Sequence, residues 1–572
     1  MYSKLHGPEP LFRLLHLLPG DKTDQIECKL EESSLDHAKE FEALSYVWGD
    51  PTNPLSITLD GQVMDVTRNL HTALCHLRYT DGMRTLWVDA VCINQQDVNE
   101  KNHQVRLMGR IYSTAEEVVV WLGEGDESDV VRMIQAVGND PEMRWTNDVF
   151  PNELLIKLYF FLRKPWWYRI WTAQEAALAQ KLTYYYGNER IQGAVMHGML
   201  KSFNRHLSSC CLEVLNSRDR RIGINETLSI VRLHSTILQF TSLKHSKIFC
   251  QVVTYFRHRA ATNPLDKVYG LFGIIDDAES ISVDYSLSVS DAYEKVAREI
   301  LTTSRKLDVF SHLIQSATTS RHLMVKGLPS LFNACGSHDY EPFHGDMPGS
   351  LRLCGIVFDE IATISSSVHS VAFHRSTEII RDWRTMAQIE TNPDKPYPSG
   401  GTVLEAFWRA LSMDIGCSMT NIPGTDNPFK RADSHDRSIH DTYWFIALLD
   451  LHRIGISKQI VSESFQNQLE GNRFHQHLYR TIYQRRFFFT KMGYMGLGPD
   501  HLLKGDKVCV LAGGRVPFVL REIKSASNQV GNLETGNTFQ ILGDAYLHGI
   551  MDGEAMKNVD EGREKLQTFE LR

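Results

Sequence analysis

A tryptophan and a glutamate four residues apart, Trp171 and Glu175 in the run RIWTAQEAALA (Arg169 to Ala179), are the most chemically suggestive pair in this chain. On a helix, positions i and i+4 share a face, so an indole and a carboxylate could line one pocket there. Two earlier runs also end in polar groups that a hydrophobic core alone does not need. They are ALSYVWGD (Ala43 to Asp50), which carries Ser45, Tyr46 and Trp48, and LWVDAVCINQQD (Leu86 to Asp97), which carries Asp89 and Asn94. Ser45, Asp89 and Asn94 fall at the ends of predicted strands, where open α/β sheets bind ligands. Each feature also has a purely architectural account. Thr172 with Glu175 three residues on reads as a capping box, in which the carboxylate satisfies a backbone N–H. Trp48, Trp87, Trp121 and Trp171 suit a core, Asp97 suits a helix cap, and Asp50 suits the turn into Pro51. Arg169 could pair with a phosphate or lay its stem over Trp166 and Trp167. Both accounts stay open at this level.

Other chemistries find little support. The 24 histidines show no HExxH or Cys/His ligand spacing, and His475 and His477, two apart, suit a helix poorly, so no metal is expected. The ten cysteines contain no CxxC, only Cys210 and Cys211 are adjacent, and the thiols read as reduced. GLGP and AGGR lack the Lys-Ser/Thr pair of a P-loop, and no GxSxG elbow occurs. Hydrophobic content of 42% and charged content of 23% are those of a globular protein. With a net charge of -8 and scattered Lys and Arg, no nucleic-acid partner is expected. The patch LFRLLHLL (Leu11 to Leu18) is broken by Arg13 and His16, and no run reaches the roughly 18 apolar residues of a membrane span. A soluble, cytoplasmic chain is the expectation.

The elements that must position these groups begin with three short apolar runs, Ala43 to Trp48, Leu86 to Val88 and Val118 to Leu122. They fit strands covered on both faces, as in a parallel sheet. Helical periods lie between them, with Leu70, Ala73, Leu74 and Leu77 on one stripe and Val105, Met108 and Tyr112 on another. Asp97 and Glu100 suggest a second capping box. Alternating strands and helices predict an α/β domain with a parallel sheet and flanking helices over residues 1–200. A mostly helical region is expected over 201–330, and a variable, loop-rich region over 331–480. A small antiparallel β-rich domain is expected over 481–572, with Ala512-Gly513-Gly514-Arg515 as a hairpin tip.

The runs SYVWGD, VDAVCINQQD and WTAQE, in that order, resemble the three successive blocks of the HET domain of fungal heterokaryon-incompatibility proteins, with core motifs spanning 43–179. IYSTAEEVVVWLGE (Ile111 to Glu124), NPLDKVYGLFGI, VDYSLSVSDAYEKVA, YMGLGPDHLLKGDKVCVLAGG and YLHGIMDGEA extend the likeness. One departure is that Gly327-Leu328-Pro329-Ser330 leads into LFNACGSHDY, where family members usually carry tryptophans. HET domains are similar in pattern to TIR domains, a flavodoxin-like group in which some members hydrolyse NAD and a Trp precedes the catalytic Glu by four residues. The resemblance implies Glu175 as the catalytic carboxylate, with Ser45, Trp48, Asp89, Asn94 and Trp171 around a nucleotide. NAD would be a substrate, with no tightly bound cofactor, and Trp48, Trp171 or Tyr46 would stack on adenine or nicotinamide. A carboxylate can stabilise the oxocarbenium-like transition state, and nicotinamide, cationic in the ground state, leaves without a general acid. The family also implies non-self recognition and regulated cell death, with self-association through the HET domain and an allelic or protein trigger. The competing expectations are a non-enzymatic interaction module, or a drifted paralogue with no incompatibility role.

Overall fold

A computed structural model describes residues 2–5, 10–125, 128–144, 152–207, 252–253, 256, 259–275, 281–311, 331–342, 348–369, 373–416, 430–448, 478, 481–523 and 538–572. Cys210, Cys211, His475, His477 and residues 327–330 lie outside the described residues. The chain divides into two compact units, Met1–Val296 and Ala297–Arg572.

The first unit is built on a nine-stranded sheet in the order β5-β4-β2-β1-β6-β3-β7-β8-β9. The strands are β1 Leu11–Leu17, β2 Glu27–Ser34, β3 Glu42–Tyr46, β4 Leu55–Leu59, β5 Gln62–Val66, β6 Arg84–Trp87, β7 Glu117–Trp121, β8 Leu182–Tyr186 and β9 Glu189–Gln192. The three predicted apolar runs become β3, β6 and β7, which pair in parallel, with Ala43 opposite Trp87 and Ser45 opposite Val120. β8 extends this parallel block beyond β7. These central strands are buried nearly throughout, which is why they read as continuous apolar runs without alternation.

The sheet is mixed, where the sequence predicts a parallel one. β1 pairs antiparallel with β2 and β6, β4 with β5, and β8 with β9. The charged residues that break up LFRLLHLL do not keep it out of the sheet, because each has a partner. Arg13 pairs with Glu100 at 2.6 Å, and His16 meets Glu31 at 2.7 Å. Burying a guanidinium in a strand is tolerable only with such compensation.

Both predicted helical stripes face the core. Helix α1 (Arg68–Leu77) buries Leu70, Ala73, Leu74 and Leu77 behind a Thr67 N-cap. A four-residue helix α2 (Asp89–Cys92) follows β6, and α3 (Val98–Thr114) buries Val105, Met108 and Tyr112. Asp97 caps α3 by accepting from the N–H groups of Asn99 and Glu100, but the reciprocal half of the box is missing. The Glu100 carboxylate goes instead to Arg13 and to the N–H of Asn94. Helices α4 (Ser128–Asn139), α5 (Asn152–Leu162), α6 (Thr172–Ala177) and α7 (Gly193–Leu207) follow among the described residues. Short helices at Asp266–Tyr269 and Phe272–Ile274 close the described part of this unit before the helix Val289–Ser304.

The second unit centres on a closed barrel. Its strands are β10 Leu351–Ser367, β13 Lys507–Leu511, β14 Phe518–Ile523, β15 Thr538–Asp544 and β17 Gln567–Leu571, and the ring closes through β10 and β13. β10 also carries an antiparallel extension through β11 Arg485–Thr490, β12 Met495–Pro499 and β16 Tyr546–Leu547. Gly513, at φ +79°, stands in the tip that joins the antiparallel pair β13 and β14, as predicted for Ala512–Arg515. Only β15 and β17 pair in parallel among the described strands of this unit. The segment read as loops supplies β10 and the helices Phe373–Met386, Val403–Ser412 and Ser434–Leu448. Trp383, stacked on Phe487, and Phe407 anchor those helices to the sheet.

Candidate active site

In the parallel block, β3 lies between β6 and β7. The chain leaves β3 toward the β6 side and leaves β7 toward β8 on the other side. Divergence of this kind opens a crevice at the carboxyl ends of the strands, the usual ligand position in open α/β sheets. Ser45 and Tyr46 stand at that end of β3, and Asp89 follows β6 at the start of α2.

Glu175 comes to the same place on α6. The Ser45 hydroxyl donates to Glu175 Oε2, and the Trp166 indole Nε1 donates to Ser45 Oγ at 2.8 Å. All three side chains are buried, with Glu175 only 5% exposed. The capping-box account of Glu175 is therefore not realised. Trp171, at the N-cap position, is already in the αR conformation, and α6 has no side-chain cap. The Thr172 hydroxyl turns back to the carbonyls of Trp166 and Arg169, at 3.0 and 2.8 Å. The Glu175 carboxylate is left for Ser45.

Charge around this carboxylate is mixed. Burial pushes Glu175 up to about 7, while the Ser45 hydrogen bond, Arg169 and Arg259 oppose the rise and Asp89 adds to it. Arg169 reaches the Tyr46 carbonyl at 2.7 Å. Asp89 is also raised by burial, against the pull of Trp48, whose indole Nε1 donates to its Oδ2 at 2.8 Å. Trp48 is 37% exposed and forms the open side of the group. Burial lowers Arg259 to about 9, with Tyr184 and Glu175 drawing it back.

The residues singled out from the sequence separate into groups. Ser45 and Glu175 touch, Asp89 and Trp48 touch, and Asp89 acts electrostatically on Glu175. Asn94 is engaged elsewhere, its Oδ1 accepting from Gln96 N and its own N–H bonding Glu100. Trp171 is half-buried and its ring packs beside Gly270, where an added Cβ would stand 3.3 Å from the indole. Trp87 and Trp121 are core residues. Sequence reasoning missed Arg259 altogether and gave Trp166 no role at the site. The stretch RHRAATNP around Arg259 has no period, and its one signal is the family-like NPLDKVYGLFGI that follows it. No group of three or more His, Cys, Asp or Glu suited to a metal occurs among the described residues. No described helix is long and apolar enough to cross a membrane.

Residues 41–175 match the family model of the heterokaryon incompatibility protein (HET) domain, and residues 455–566 match that of the Het-6 beta-barrel domain. The chain thus carries segments similar to the HET domain and to the Het-6 beta-barrel domain. It is similar along its length to heterokaryon incompatibility protein 6, OR allele, of Neurospora crassa, with 24% identity covering 96% of this chain and 95% of that one. No solved structure matches the chain. The HET match runs from the residue before β3 to Glu175 itself, so it contains Ser45, Trp48, Asp89 and Trp166. Arg259 lies beyond it. The barrel match covers β11 to β16, and the observed ring adds β10 and β17 from outside it.

Proposed function

We propose that the chain acts in heterokaryon incompatibility, as an effector of fungal non-self recognition and regulated cell death, and that its HET domain cleaves NAD. The incompatibility role is supported by the two family matches and the full-length similarity to the Neurospora protein. The observation that carries the chemistry is the Glu175 carboxyl, buried against Ser45 at the crevice end of β3 instead of capping its own helix.

In this reading the bond between ribose C1′ and the nicotinamide nitrogen breaks, and its electron pair neutralises the departing ring. Positive charge develops on the ribose, and the Glu175 carboxylate stabilises it. Water adds at C1′ and releases its proton, giving ADP-ribose, nicotinamide and H⁺. Trp48, exposed and held by Asp89, supplies a flat face for a base. The required form is the ionised carboxylate, so turnover rises with pH through about 7, where burial sets this group.

The test incubates the purified full chain with NAD and follows nicotinamide by chromatography, beside folded Glu175→Gln. It is paired with forced expression of both forms in fungal cells. Nicotinamide release and cell death from the wild type alone are expected. No release by the folded wild type, together with death that survives Glu175→Gln, overturns the proposal in favour of partner recruitment.

A further inference from the structure

Glu175 is the last residue of the HET match, yet the turn that aims it is held from outside that match. The turn runs from Trp166 to Thr172, and the segment at Arg259 and Ala260 is stitched along it. Ile170 N donates to the Ala260 carbonyl at 2.9 Å, and Ala260 N donates to the Tyr168 carbonyl. The Arg259 side chain adds two bonds from Nη1, to the Arg169 carbonyl at 3.0 Å and to Thr172 Oγ1 at 2.9 Å. Arg259 is fully buried, over the ring of Phe256, and its Nε and Nη2 have no hydrogen-bond partner among the described residues. An enclosed guanidinium with three of its five donors unused is costly unless its charge is balanced nearby.

We infer that Arg259 is a positioning residue of the Glu175 site: it fixes the turn that carries Glu175 and adds a buried positive charge that favours its carboxylate. The site is then completed by a residue outside the HET match. The inference rests on the proposal that the carboxylate is the working form of Glu175, but not on NAD as the substrate.

The groups acting on Glu175 come from several elements. Ser45 and Tyr46 are on β3, Asp89 is on α2, Tyr112 on α3, and Arg169 on the turn, with Arg259 beyond. Asp89 opposes ionisation, and Arg169 is only half-buried and is shared with the Tyr46 carbonyl and Asp89. Arg259 is the fully buried cation of the group, and its pull on Glu175 is smaller than that of Arg169. It draws Glu175 down, and Glu175 draws Arg259 up.

The test is a titration that needs no turnover. Infrared difference spectra of the full chain against Glu175→Gln isolate the carboxyl band of Glu175 and give its midpoint. Arg259→Met is expected to weaken ionisation and move the midpoint up, and Arg259→Lys is expected to restore most of it. An unmoved midpoint in folded Arg259→Met overturns the inference. So does a midpoint in Arg259→Lys displaced as far as in Arg259→Met, which would make the clamp, and not the charge, the whole effect. Should the Met variant not fold, Arg259→Lys decides alone: its midpoint must stay within half a unit of the wild type. Absence of nicotinamide release in every form would sink the NAD reading and leave this result standing.

Discussion

Replacing Glu175 by Gln should make this protein more stable, and only above a definite pH. The wild-type carboxyl is lifted by burial from an ordinary 4.5 to about 7. Between those values the folded chain holds a proton that the unfolded chain has released. Stability from this group is therefore complete below about 4.5 and is lost as pH rises to about 7. At ~1.36 kcal/mol for each pH unit, the loss amounts to roughly 3 kcal/mol. Gln keeps the size and an oxygen that can accept from Ser45, but it has no charge to bury. Glu175→Gln should match the wild type near pH 4.5 and exceed it by up to roughly 3 kcal/mol at pH 8. For a unit of this size that is several degrees of melting temperature, at ~2–4 °C per kcal/mol. The assay is thermal unfolding of both full chains from pH 4.5 to 8.5 at one ionic strength, read as the difference in melting temperature, so that other titrating groups cancel. A difference that stays constant across the range would refute the argument, because Glu175 would then ionise no differently in the folded and unfolded states.

Three further outcomes follow from the same packing. Ser45→Ala removes the donor to Glu175 and the acceptor of the Trp166 indole, so it should destabilise by about 1–3 kcal/mol and move the Glu175 midpoint above its wild-type value. Denaturant unfolding and the infrared titration check the two parts separately. Gly109→Ala would gain helix propensity on α3, but its Cβ would stand 2.6 Å from Gly273 Cα, so a net loss of about 1–3 kcal/mol is expected by calorimetry. Glu100→Gln leaves the buried Arg13 charge without its counterion, and unfolding measurements should show a loss of about 3–5 kcal/mol, smaller when Arg13→Met is added.

Much of the first unit is legible because its central strands are buried on both faces and its helices on one. β3, β6, β7, α1 and α3 all stand where the apolar periods put them. β1 was hidden by Arg13, whose counterion Glu100 is remote in sequence and visible only in three dimensions. β10 was hidden by its Gly and Ser content, yet Leu353, Ile356 and Ile361 are buried against the barrel. The site shows the same split. Ser45, Asp89 and Glu175 are prominent as polar endings of apolar runs. Whether Glu175 caps a helix or turns to Ser45 depends on the αR conformation of Trp171, which no local pattern states. Arg259 has no pattern at all, since a single buried Arg looks in sequence like any surface Arg.

Two carboxylates in this unit, Glu175 buried and Glu100 half-buried, show why burial alone does not identify a functional group. Glu100 joins α3 to β1 through Arg13, at 2.6 Å. Removing its charge strands a cation in the sheet, so the fold itself should suffer at neutral pH. Glu175 interacts with Arg169 and Arg259, but the cost of burying its charge outweighs their pull. Its hydrogen bond from Ser45 survives in Gln, and ionising it above pH 7 works against folding. Perturbed carboxyls of this kind concentrate where chemistry or ligand binding needs them, which is the role proposed for Glu175. Opposite signs in the two substitutions, loss for Glu100→Gln and gain for Glu175→Gln at pH 8, would separate the ion pair that builds the domain from a carboxylate whose ionisation works against folding.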